Sequence, residues 1–223
     1  MTKDVLEVDS VQMQYDGRII ISDVYLKCET NDIIGILGRN GSGKSTLLKI
    51  IFGIEAADFK FVRINSVVKT KTSELLDQIS YLPQDNFIPS SFTVEKTIGL
   101  SISKNMISRF HNDEMIQSIL DKKIKHLSGG ELRYLEIKLV LNTNSKFVLL
   151  DEPYNGLSPV MIKKVNQLIL SKGDEKGIII TDHNYENVIK VSTKLTLIKE
   201  GKLFHLKTKN ELVERGYLRE GML

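Results

Sequence analysis

The sequence predicts an α/β protein whose main sheet is mostly parallel and covered by helices on both faces. Three observations carry this. Phe147-Val148-Leu149-Leu150 and Ile178-Ile179-Ile180 are short runs with no polar position, the pattern of strands buried on both sides. The last third of the chain alternates such runs with stretches of helical spacing. A glycine-rich segment, Gly38 to Thr46, lies between a strand-like run and a helix-like one.

The elements follow in order. Val5 to Met13 and Ile19 to Cys28 alternate apolar and polar residues around the turn Tyr15-Asp16-Gly17-Arg18, which reads as an antiparallel β-subdomain at the N-terminus. Asp32 to Leu37 is a buried strand, and the helix after the glycine-rich segment runs to about Phe52. Phe61 to Ile64 and Ile79 to Leu82 are short strands separated by a polar turn. Residues 92–123 carry helical spacing through Val94, Ile98 and Ile102, then Met115, Ile116, Ile119 and Leu120, which makes approximately 85–127 a small helical subdomain within a single domain over 1–223. Leu127 to Leu141 reads as a helix, Lys146 to Leu150 as a strand, and Pro159 to Leu170 as a helix with proline in its first turn. Gly177 to Thr181 is a strand, and Tyr185 to Val191 a helix. Leu195 to Ile198 and Lys202 to Leu206 form a hairpin about Glu200-Gly201, and the tail reads as a terminal amphipathic helix.

The 223 residues suit one domain, and 41% hydrophobic with 26% charged residues is the balance of a globular protein. A net charge of +3, with no block of Lys or Arg, gives no nucleic-acid or membrane patch, so no direct nucleic-acid partner is expected. The single cysteine, Cys28, sits in an alternating stretch and reads as a small strand residue in a reducing compartment. The start, Met1-Thr2-Lys3-Asp4-Val5, has no apolar signal core, and no run approaches the ~20 apolar residues that span a bilayer. Any work at a membrane would need another chain as the anchor.

Gly38-Arg39-Asn40-Gly41-Ser42-Gly43-Lys44-Ser45-Thr46 fits the G-x-x-x-x-G-K-[ST] pattern of a phosphate loop in its required strand–loop–helix context. Its glycines let backbone N–H groups curl toward an anion, and the helix start adds unpaired donors and a positive dipole end. Lys44 can reach β- and γ-phosphates, and the Ser45 hydroxyl can ligate Mg²⁺. A nucleoside triphosphate is the expected ligand and a P-loop NTPase core the expected fold, although kinases, GTPases, recombinases and transport ATPases all share such a loop. Downstream, the apolar strand Phe147 to Leu150 ends in Asp151-Glu152. An Asp at a strand end beside the loop can hold Mg²⁺, and a second carboxylate can polarise an attacking water. Leu127-Ser128-Gly129-Gly130-Glu131 offers a second anion site, with Ser128 as helix N-cap and two glycines allowing close backbone approach.

That last segment, placed between the phosphate loop and the Asp-Glu strand, resembles the signature of ATP-binding-cassette (ABC) ATPases, and the resemblance covers nearly the whole chain. It implies ATP as substrate with Mg²⁺ as cofactor. Tyr15 stands where the family stacks an aromatic on adenine, while a plain turn tyrosine remains the other reading. Gln84, in Tyr81-Leu82-Pro83-Gln84, matches the glutamine that touches Mg²⁺ and the attacking water, and His183 matches the switch histidine at the γ-phosphate. The resemblance assigns catalysis to Glu152, His183, Lys44 and Gln84. It assigns ATP contact to Tyr15, Gly38 to Thr46, Ser128, Gly129 and Gly130, and metal contact to Ser45, Gln84 and Asp151. It also implies a head-to-tail dimer in which Ser128-Gly129-Gly130 of a second copy closes each ATP site.

Four departures stand out. Ser158 replaces the family's usual Asp in the loop after Glu152, Arg39 replaces a common proline, Asn31-Asp32 replaces Gly-Glu, and the stretch from Gln84 to Leu127 is short. Glu152-Pro153-Tyr154-Asn155-Gly156-Leu157-Ser158-Pro159 and Thr181-Asp182-His183-Asn184 resemble the ATPases of lipopolysaccharide exporters and branched-chain amino-acid importers, as does the tail, with Glu211-Leu212 before Gly216-Tyr217-Leu218. The expected role is the cytoplasmic ATPase of a transporter, held at the inner face of the cell membrane by a permease. The alternative is a soluble ABC ATPase acting on nucleic acid, ribosomes or an iron–sulfur assembly scaffold.

Overall fold

The computed structural model describes residues 3–222; Met1, Thr2 and Leu223, at the ends of the expected single domain, lie outside the described residues. Strands β1 (Val5–Tyr15) and β2 (Arg18–Glu29) form the expected hairpin. Its turn residues Asp16 and Gly17 both have positive φ (48° and 75°), as a tight hairpin turn requires. Strand β3 (Ile33–Leu37) leads into helix α1 (Lys44–Phe52), followed by β4 (Phe59–Ile64), β5 (Val67–Lys69) and β6 (Ile79–Leu82). The strand β5 has no counterpart in the sequence reading: three residues are too few to show alternation, and its turn, Asn65-Ser66, adopts positive φ without a glycine.

Residues 92–123 are helical in pieces: α2 (Val94–Ser101), α3 (Ile107–His111) and α4 (Glu114–Gln117). The break after α2 comes where Ile102 turns extended, and Asp113 opens α4 by accepting the Met115 and Ile116 N–H groups. Val94, Ile98, Ile102, Ile116 and Ile119 are nonetheless buried together, as their spacing predicts. Helix α5 spans Gly129–Leu141, starting two residues later than expected because Ser128 is its N-cap. The chain continues through β7 (Phe147–Asp151), α6 (Pro159–Gly173), β8 (Gly177–Thr181), α7 (Tyr185–Val191), β9 (Lys194–Lys199) and β10 (Lys202–Leu206). The tail is not a long amphipathic helix. One turn, α8 (Glu211–Glu214), ends when Tyr217 and Leu218 both fold their N–H groups back onto the Leu212 carbonyl.

The strands make an antiparallel sheet in the order β2-β1-β4-β5 and a six-stranded sheet in the order β10-β9-β3-β8-β7-β6. In the larger sheet only the β9–β10 pair is antiparallel. Strands β3, β7 and β8 are buried at every position. Ile34, Ile36, Phe147, Leu149 and Ile179 face a core shared with α1 and the antiparallel sheet. Ile33, Leu37, Val148, Leu150, Ile178 and Ile180 face a second core with α5, α6 and α7. Cys28 is buried in the first core, and burial pushes its thiol pKa up, so it is inert packing as its context predicts. The parallel register brings the C-terminal ends of β3, β6, β7 and β8 to one edge, pairing Leu82 with Leu150 and Asp151 with Thr181. Ligands bind at that edge of an open parallel sheet.

Candidate active site

The glycine-rich loop leaves β3 at Leu37 and enters α1 at Lys44. Gly43 sits at φ 98°, and a Cβ there would lie 3.2 Å from the Ile20 carbonyl, so only glycine fits the last bend. Being glycine, this N-cap offers no side chain to the helix start, and the first N–H groups of α1 stay available to an anion. The Ser42 hydroxyl is buried with no protein partner, a further orphan polar atom in the loop. Lys44 is buried, with Nζ donating to the carbonyls of Gly38 (2.8 Å) and Arg39 (3.1 Å). Burial pushes its pKa down, against the opposing pull of Glu152, Asp151 and Asp182. Asn40, Gly41, Ser42, Gly43, Lys44, Ser45 and Thr46 line a cavity of about 430 Å³ together with Ile20, Gln84 and Glu152.

Asp151 is fully buried at the end of β7. Its Oδ1 accepts the Ser45 hydroxyl (2.9 Å) and the Thr181 hydroxyl (2.8 Å), and its Oδ2 accepts the Tyr81 hydroxyl (3.1 Å). Gln84 Nε2 donates to Ser45 Oγ at 3.2 Å. Ser45, Gln84 and Asp151, far apart in sequence, thus meet at one place: the Ser45 hydroxyl and Asp151 carboxylate are the hard oxygen ligands Mg²⁺ favours, and Gln84 turns its amide nitrogen toward Ser45. Burial, reinforced by the Asp151 charge, pushes the Tyr81 hydroxyl pKa up and keeps it a donor.

Glu152 has a left-handed backbone (φ 48°), sparsely populated for a residue with a side chain. Its N–H is bound to the Thr181 carbonyl at 2.8 Å. His183 follows β8 with a 56% exposed side chain, its Nδ1 3.8 Å from Glu152 Oε2 and 3.4 Å from Asp182 Oδ1. Asp182 is fully buried and accepts the backbone N–H groups of Asn184 (2.8 Å) and Tyr154 (2.9 Å). Burial raises its pKa against those two hydrogen bonds.

The other sequence candidates lie apart from this cavity. Tyr15 is 66% exposed at the end of the hairpin. Ser128, Gly129 and Gly130 start α5 on the surface, held by a reciprocal cap: Glu131 N–H donates to Ser128 Oγ (3.2 Å), and Ser128 N–H to Glu131 Oε2 (2.7 Å). A side chain built on Gly129 would meet nothing within 4 Å. Ser158, where the family pattern has Asp, N-caps α6 by accepting the Met161 N–H.

Sequence reasoning missed Arg133 and Glu136, which are 4% and 0% exposed on α5. Burial pushes the Arg133 pKa down and the Glu136 pKa up, each partly offset by the other's charge. The signal was Arg133 and Glu136, an opposite-charge pair three residues apart, set among apolar positions of a helix. The tail was also missed as a neighbour of the loop: Arg39 reaches the Gly216 carbonyl (3.5 Å), and Lys199 the Arg215 carbonyl (2.9 Å).

A phosphate loop entering a helix, beside a parallel strand that ends in a buried Asp bonded to the loop serine, defines a P-loop nucleoside-triphosphatase. The ABC transporter family model matches residues 21–155, more than half of the chain. The lipopolysaccharide export system ATP-binding protein LptB of Haemophilus influenzae is 30% identical over 97% of this chain and 98% of its own length. LptB of Escherichia coli strain K12 is 30% identical over 96% and 97%. Among solved structures, an ATP-binding subunit of an ABC transporter superposes with a TM-score of 0.82 at 19% identity, covering 97% of this chain and 95% of that one. A bacterial Atm1-family ABC exporter with ATP bound gives 0.84 at 18% identity, covering 96% of this chain and 41% of that one. The chain belongs to the ABC transporter family. It is an ATP-binding subunit of the kind represented by LptB, and an ATPase, which favours transport over the soluble alternatives.

Proposed function

We propose that two copies of this chain close head to tail around ATP and that this closure drives a separate membrane permease. The observation that carries the reading is the split of the phosphate-binding groups. Lys44, Gln84 and Glu152 line one cavity, while the second glycine-rich helix start, Ser128-Gly129-Gly130, lies outside that lining with open space in front of Gly129. A second copy turned head to tail would bring that helix start over the γ-phosphate.

In this reading Gly38 to Thr46 cradle the phosphates, Tyr15 stacks on adenine, and Lys44 leaves its loop carbonyls to pair with the β- and γ-phosphates. Ser45, Asp151 and Gln84 hold Mg²⁺, which when bound offsets charge on the phosphate oxygens. Glu152, set beside the loop by its left-handed backbone, polarises the water that attacks the γ-phosphorus. His183 holds the γ-phosphate oxygens, and ADP departs with inorganic phosphate as the other product. ATP completes the interface, so its hydrolysis releases it.

Among the described residues no helix is long and apolar enough to cross a membrane. We place the chain at the cytoplasmic face through its permease, which would contact the small helical subdomain of residues 85–127 beside Gln84, where Phe87 and Leu100 are exposed. The likeness to subunits of lipopolysaccharide export makes a lipid-exporting permease the first partner to look for. Affinity purification of the tagged chain from detergent-solubilised membranes tests this. The expected result is a polytopic membrane protein in stoichiometric amount, and recovery of ribosomes or soluble scaffold proteins alone would overturn the transport role.

A further inference from the structure

We propose that Arg133 and Glu136 are positioning residues that fix the Gln84 loop and the Glu152 backbone to the helix carrying Ser128-Gly129-Gly130. This inference rests on the catalytic reading of Gln84 and Glu152 above. One guanidinium reaches three carbonyls: Nη1 donates to Pro83 at 2.7 Å, and Nη2 to Asp151 at 2.8 Å and Glu152 at 2.9 Å. Its i,i+3 partner Glu136 lies 3.5 Å from Nη1 and accepts the Phe87 N–H at 2.9 Å. The pair therefore grips the Gln84 loop on both sides, one residue before Gln84 and three after it, while Gln84 itself is exposed. The same guanidinium also holds the carbonyl of Glu152, whose left-handed backbone needs outside support.

The geometry gives α5 a two-ended role. Its first turn presents Ser128 and the glycines, and its second and third turns carry the grip on Gln84 and Glu152. A force on the α5 start from a second copy would reach the groups beside the attacking water through a rigid helix and four hydrogen bonds, to Pro83, Phe87, Asp151 and Glu152. The two side chains that relay it, Arg133 and Glu136, are buried and held by these contacts. The planar fork of arginine matters, because an ammonium cannot span carbonyls on two different chain segments in fixed directions.

The test uses Arg133→Lys, Glu136→Gln, Gln84→Ala and the double variant Arg133→Lys/Gln84→Ala. Lys138→Met serves as a control at another ion pair of α5, where buried Lys138 binds half-buried Asp113 away from the site. Steady-state ATPase, affinity for a fluorescent ATP analogue and melting temperature are measured on each. Arg133→Lys is expected to lower kcat by about 10²-fold, the scale set by small misplacements of reacting groups. Its nucleotide affinity should stay within about threefold, since no phosphate-loop group is touched. Glu136→Gln keeps an acceptor for the Phe87 N–H and should lose about tenfold less than Arg133→Lys. Arg133→Lys should cost clearly less in the Gln84→Ala background than in wild type, because the part of its effect that runs through Gln84 is already lost while the part through Glu152 remains. Lys138→Met should lower the melting temperature and leave kcat within about twofold. An unchanged kcat in Arg133→Lys, a loss that tracks melting temperature across all variants, or additive effects with Gln84→Ala would each overturn the proposal. Full activity in Gln84→Ala alone would instead bring down the catalytic reading on which it rests.

Discussion

Gly129 separates the stability of one copy from the function of two. It is the first residue of α5, and a Cβ there would touch nothing within 4 Å. Gly129→Asp therefore brings no clash. An acidic side chain at a helix N-terminus contributes about 0.3–1 kcal/mol, and losing a glycine restricts the unfolded chain by about 0.4–1 kcal/mol. The isolated chain should melt at the wild-type temperature or up to about 8 °C above it. A second copy's γ-phosphate approaching this helix start meets the opposite outcome. A like charge at about 5 Å in a partly screened interface costs roughly 3 kcal/mol, or about 10²-fold in association. The assays are differential scanning calorimetry, binding of a fluorescent ATP analogue to the chain's own loop, and ATPase rate against protein concentration. The melting temperature and nucleotide affinity should hold while turnover falls by about 10²-fold. A fall of more than about 5 °C would refute the open-space argument, and full turnover would refute the composite site. Gly130→Ala supplies the contrast, because a Cβ there comes within 2.8 Å of the Met161 sulfur and must displace it.

Two further outcomes follow from local geometry. Ser158→Ala removes the N-cap of α6 and should cost about 0.5–1 kcal/mol in urea unfolding, while Ser158→Asp keeps an acceptor for the Met161 N–H and should unfold like wild type. Lys176 is buried and donates to the Thr143 and Ser145 carbonyls, and burial lowers its pKa to about 8. The unfolded chain keeps that proton to about pH 10.4, so between these values it binds more protons than the native state and stability rises with pH. The penalty is fully present below pH 8 and gone above about 10.5. The unfolding free energy of wild type relative to Lys176→Met should thus grow by about 2–3 kcal/mol from pH 7.5 to 10.5, and a flat difference would contradict the burial argument.

What the sequence made legible was local. The phosphate loop, the apolar runs of strands β3, β7 and β8 and the hairpin turn at Asp16-Gly17 each announce themselves within a few residues. So did Ser128, whose role as N-cap follows from its position before a helical run. Arg133 stayed hidden because its partners are the carbonyls of Pro83, Asp151 and Glu152, and a backbone carbonyl carries no residue identity to pair with. The network of Tyr81, Thr181 and Asp151 depends on the register of β6, β7 and β8, which no single strand reveals. The interruption of residues 92–123 at Ile102 and Asp113 was masked because the apolar spacing continues across both breaks. The departure at Ser158 has a local account: serine and aspartate both cap a helix, so α6 starts in the same place with either.

The central claim is that ATP joins two copies and that Glu152 lets them part. Glu152→Gln removes the carboxylate that polarises water and leaves Lys44, Ser45, Asp151 and Gln84 in place, so ATP should bind without being consumed. Light scattering of this variant after gel filtration measures the mass directly. The account predicts the monomer mass of 25.3 kDa without nucleotide and twice that with ATP and Mg²⁺. A mass of 25.3 kDa in both conditions would contradict it.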